Sequence, residues 1–93
     1  MLSRDAAETL ALDALTWLLG EDDLLPTFLG TTGASIEDFR TQTQDPAFLV
    51  SVLDFICMND AWVKSFCDVC GYSYEGPTAA RTALPGGETV HWT

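Results

Sequence analysis

Apolar side chains recur at helical spacing over the first twenty residues. Ala7, Leu10, Ala11, Ala14, Leu15 and Leu18 fall three or four apart and form one buried stripe. Ser3 is placed to cap this helix and Gly20 to stop it. A short second helix is expected over roughly Asp22 to Leu29, with Glu21, Asp22 and Asp23 at its start, Pro26 in its first turn and Gly30 as its stop. Ser35-Ile36-Glu37-Asp38 reads as a capping box that opens a third helix through Phe39 to about Thr43. Asp45-Pro46 starts a fourth that runs to about Met58, because Asp caps and Pro has its φ preset for the first helical position.

Asn59 or Asp60 caps a fifth helix, which carries Trp62, Val63, Phe66, Cys67 and Cys70 and ends at Gly71. Pro77 begins the last, to about Leu84, and Pro85-Gly86-Gly87 breaks it. The pattern therefore predicts an all-α bundle of five or six short helices, a single helical domain over 1–87, and a tail over 88–93. In the tail only Val90 and Trp92 alternate, as a short extended segment would.

The same pattern repeats at an offset of 38 residues. Residues 10–37 align with 48–75, pairing Leu15 with Leu53, Asp22 with Asp60, Phe28 with Phe66, Gly33 with Gly71, Ser35 with Ser73 and Glu37 with Glu75. Apolar positions match between them, Trp17 with Phe55 and Leu18 with Ile56 among others. Any two amphipathic helix pairs align once in phase. Here a cap Asp, a core Phe and a closing Gly also agree across a loop, which points to a duplicated helix pair. On that reading the second helix runs past Gly30 and closes at Gly33. Two copies are too few for an open stack, so they are expected to close on each other as a compact bundle.

Composition narrows the function classes. The chain has 93 residues, 47% of them hydrophobic, with 14 Asp+Glu against 4 Lys+Arg, a formal charge of −10. With mean hydropathy at +0.14, that charge does not predict an unfolded chain. It does repel phosphate and anionic lipid, so neither direct nucleic-acid binding nor membrane binding is expected. The N-terminus lacks the basic and apolar regions of a signal peptide, and there is no 18-residue apolar run. A cytoplasmic location is expected, and three Cys fit reduced thiols there better than a disulfide framework.

The acidity invites a sharp reading, mimicry of nucleic-acid phosphates to block a basic site. Eight of the 14 carboxylates, however, fall at expected caps or first turns: Asp5, Glu21, Asp22, Asp23, Glu37, Asp38, Asp45 and Asp60. There each adds about 0.3–1 kcal/mol against the helix dipole. The rest, Glu8, Asp13, Asp54, Asp68, Glu75 and Glu88, are scattered singly, so a solvated surface explains the charge better than mimicry.

Cys67-Asp68-Val69-Cys70, with Cys57 upstream and His91 downstream, makes a conceivable tetrahedral zinc set. Against it, Cys57 and Cys67 align with Leu19 and Leu29, so two of the thiols occupy positions that are apolar in the other copy. A redox CxxC draws its low pKa from a helix start, whereas this one lies at a helix end, where the dipole raises a thiol pKa. One His, no phosphate loop and carboxylates already serving as caps argue against catalysis, and no cofactor is expected.

The run Ala11-Leu12-Asp13-Ala14-Leu15-Thr16-Trp17-Leu18, with Phe28-Leu29-Gly30, Asp45-Pro46-Ala47-Phe48-Leu49, Val52-Leu53-Asp54-Phe55 and Ala83-Leu84-Pro85-Gly86-Gly87, resembles a family of short bacterial proteins classed only as a domain of unknown function. The resemblance covers nearly the whole chain and implies a cytoplasmic, bacterial, all-helical protein. It implies no activity, cofactor or catalytic residue.

Between Ala47 and Met58 only Ser51 and Asp54 interrupt an apolar helix, so the first and fourth helices are expected at the centre. A domain this small has trouble covering both, which leaves apolar surface for another copy or another protein. The leading expectation is a non-catalytic interaction module, self-associating or partner-binding, with Trp17, Phe55, Trp62 and Trp92 as candidate contacts. An acidic mimic and a Cys-based metal or redox protein are the alternatives.

Overall fold

The computed structural model describes residues 2–85, which form six helices and, among the described residues, no strand. They are α1 (Arg4–Leu19), α2 (Leu24–Thr32), α3 (Ile36–Thr41), α4 (Pro46–Cys57), α5 (Asp60–Cys70) and α6 (Gly76–Ala83). The expected tail, with His91 and Trp92, lies outside the described residues.

Most of the starts are those the sequence announces. Ser3 accepts from the Ala6 N–H, Asp45 from the Ala47 N–H and Asn59 from the Ala61 N–H. Ser35 and Asp38 form a reciprocal capping box, Asp38 standing in for the usual longer acid.

The second helix departs from the first expectation. It starts at Leu24, runs through Gly30 and closes at Gly33, as the repeat demands. Gly33 and Gly71 both adopt the left-handed conformation, at φ 77° and 82°. Each donates its N–H back to the residue four before it, Leu29 and Cys67. The three acids before α2 do not cap it: Asp23 is itself in the right-handed region and makes no side-chain cap bond.

The offset of 38 recurs in the helix ends, though not in the helix starts. α1 and α4 end at Leu19 and Cys57, and α2 and α5 at Thr32 and Cys70, both pairs 38 residues apart. It is visible in the packing as well, because the two halves exchange their closing aromatics. Phe28 of α2 meets Phe55 of α4 edge-on, with ring centroids 5.3 Å apart, and Phe66 of α5 meets Trp17 of α1 edge-on at 5.8 Å. Phe28 pairs with Phe66 across the offset, and Trp17 with Phe55, so each half seats its Phe in the other. The halves differ at their third helices. α3 is a short flanking helix that contributes Phe39 to the cluster around Phe28, whereas α6 packs against both α1 and α4.

Much of the apolar surplus on α1 and α4 is covered from within, while Leu12 and Leu19 of α1 stay exposed. α4 buries Phe48, Leu49, Val50, Val52, Leu53, Phe55 and Ile56. Its two polar breaks are accommodated: the Ser51 hydroxyl donates to the Phe48 carbonyl, and Asp54 accepts from Arg81 of α6. α6 reads as polar, but it turns Gly76, Pro77 and Ala80 inward. A Cβ added at Gly76 would stand 3.1 Å from the Leu10 side chain, which shows how closely α6 approaches α1.

Candidate functional site

The aromatic candidates divide by burial. Trp17 and Phe55 are core residues, 8% and 2% exposed, and offer no face to a partner. Among the described residues the buried Trp17 indole N–H has no acceptor, an uncommon arrangement for a buried donor. Trp62 is half-buried and stacks on Phe55, with centroids 4.8 Å apart.

The thiols do not converge. Cys67 is buried and donates to the Ser73 carbonyl at 3.2 Å, Cys57 is half-buried with its sulfur 3.8 Å from the Thr78 hydroxyl, and Cys70 is exposed. Burial pushes all three thiols above their ordinary value, with Asp68 adding to the effect at Cys67 and Asp13 at Cys70. A raised thiol pKa disfavours the thiolate, which is the nucleophilic and metal-binding form. Among the described residues no three His, Cys, Asp or Glu side chains are grouped to hold a metal ion.

Four of the carboxylates away from helix starts are also engaged. Asp13 accepts from the Tyr72 hydroxyl, Asp68 from the Tyr74 hydroxyl at 2.8 Å, Glu8 from Arg4 at 3.2 Å and Asp54 from Arg81. The bond to Asp13, reinforced by burial, pushes the Tyr72 phenol up to about 12. These pairs tie α1 to the α5–α6 turn and α4 to α6, so the scattered acids are partly tertiary fasteners.

One concavity stands out, a groove of about 750 Å³ between the N-terminal segment and the outer side of α6. Its half-buried surface is apolar, formed by Leu2, Ala79 and Ala83. Exposed Arg4, Tyr74, Glu75, Thr78 and Thr82 edge it. The volume is within the range of small-ligand and peptide pockets. Sequence reasoning did not find this groove. Its only trace in the sequence is the small-residue spacing of Ala79 and Ala83, four apart on a helix whose inner side also carries small residues.

Among the described residues no single helix is long and apolar enough to cross a membrane. The model of a family described as "Protein of unknown function (DUF3572)" matches residues 4–87, and the chain belongs to that family. No curated protein and no solved structure matches the chain.

Proposed function

We propose that this member of the DUF3572 family is a non-catalytic protein-interaction module, and that it receives a segment of a partner protein in the groove between the N-terminal segment and α6. The groove carries the proposal, because among the described residues it offers a concave apolar base on the outer side of α6. Two further observations support it. The three thiols do not converge on one another, and four of the isolated carboxylates, Glu8, Asp13, Asp54 and Asp68, are occupied by Arg and Tyr partners. The free cysteines fit the same proposal's setting, the cytoplasm of a bacterium.

The test is affinity capture from source-cell extract with the wild type and with Thr82→Phe, which fills the groove from an exposed position, alongside light scattering for self-association. Loss of captured protein, or of dimer, in the variant is the expected result. A monomer whose captured proteins are identical with the groove open and filled would falsify the reading.

A further inference from the structure

The groove's own charge and dimensions specify the partner's chemistry further, and we infer that the segment it takes is a basic amphipathic helix. This rests on the interaction reading above. The cation at the rim, Arg4, is already paired with Glu8. Glu75 lines the groove directly, and Tyr74 is held there by Asp68. Among the described residues Arg4 and Glu75 are the charged groups of the rim, and with the paired Glu8 and Asp68 behind them one cation stands against three carboxylates, on a chain that carries −10 overall. Apolar anchors flanked by Lys and Arg complement it, whereas acidic flanks are repelled.

The dimensions accommodate a helix. α6 spans eight residues, about 12 Å at 1.5 Å per residue. Anchors at i, i+4 and i+7 of a partner helix span about 10.5 Å, so two turns of apolar side chain cover the groove. The α6 residues that line the groove, Thr78, Ala79, Thr82 and Ala83, all have short side chains, so the partner's axis can come close.

The probe is a fluorescent, stapled helical peptide with Leu at i, i+4 and i+7 and Lys on its other faces, read by anisotropy. Two companions serve as controls, one with Glu in place of Lys and one with Ser in place of Leu. The Leu/Lys peptide is expected to bind at least tenfold more tightly than either companion. Thr82→Phe and Ala79→Gln, each checked for helix content by circular dichroism, are expected to weaken it about tenfold, and Glu75→Lys several-fold. Asp22→Lys makes the same charge change beyond the far end of α1, about 24 Å away along that helix, and is expected to leave affinity within twofold.

Equal binding of the Leu/Glu or Ser/Lys peptide, or a Kd indifferent to both groove-filling variants, overturns the inference. Absence of peptide binding while capture from extract still depends on the groove overturns the inference and leaves the interaction module standing. Capture that ignores the groove removes the reading on which the inference rests.

Discussion

Replacing each of the two exchanged phenylalanines by leucine measures what the aromatic cluster contributes. Phe28 and Phe66 are both fully buried, 0% exposed, so the loss of volume and of buried area on going to Leu is about the same at the two sites and cancels in the comparison. What differs is the company each ring keeps. Phe28 lies edge-on to Phe39, Phe48 and Phe55, at 5.5, 6.2 and 5.3 Å. Among the described residues Phe66 has two ring neighbours, Trp17 edge-on and Tyr72 stacked. At about 0.5–1.5 kcal/mol per aromatic pair beyond area, the third pair makes Phe28→Leu the more damaging change by about that amount. Total stability at this length is about 5–14 kcal/mol, so both variants still fold. The difference corresponds to a Tm gap of about 4–8 °C per kcal/mol, read by circular dichroism melting. A Phe66→Leu protein that melts at or below the temperature of Phe28→Leu would refute the reasoning.

The glycines make a second set. Gly33→Ala and Gly71→Ala meet no atom within 4 Å, so each is expected to cost the left-handed penalty alone, about 1–2 kcal/mol. Gly30→Ala, on the exposed side of α2, is expected to stabilise by up to about 1 kcal/mol in urea titrations. Tyr72 is held neutral up to about 12, so its contribution is complete below pH ~10 and is lost as pH rises from about 10 to about 12. Asp13→Asn is expected to return the phenolate titration toward the ordinary tyrosine value, and an unchanged absorbance titration would reject the pairing. Among the thiols, Cys70 is expected to be labelled first by a disulfide reagent and Cys67 only on unfolding, as mapped by mass spectrometry.

The elements with local signals were readable in the sequence. Ser3, Ser35, Asp45 and Asn59 cap as expected because a cap needs only its own residue and the next two or three. Gly30 misled as a stop because glycine in a helix is merely costly, whereas Gly33 is in a backbone conformation that favours glycine. Only comparison with the second copy distinguished the two. Glu21, Asp22 and Asp23 looked like helix-starting charge, yet the chain enters α2 through a turn in which the Glu21 carbonyl, not an acid side chain, takes the Leu24 and Leu25 N–H groups.

The part of the fold that was hardest to read is α6, and with it the groove. A hydropathy pattern rewards large apolar residues, and α6 packs through Gly76, Pro77 and Ala80, which contribute by being small enough to let backbones approach. For that reason α1 and α4 appeared to leave surplus apolar surface, and Trp17 and Phe55 appeared available to a partner. Both are covered by the exchange of Phe28 and Phe66 between the halves, a contact of high sequence separation that no local window contains.

That exchange also bears on where such a chain can come from. In a lone copy of the 38-residue unit the closing phenylalanine would keep only the ring from its own half, Phe39 beside Phe28 or Tyr72 beside Phe66, and would lose those the other half supplies. Once two copies are tethered they no longer have to match, so one can keep Trp17 while the other keeps Phe55, and one third helix can stay at the flank while the other becomes part of the core.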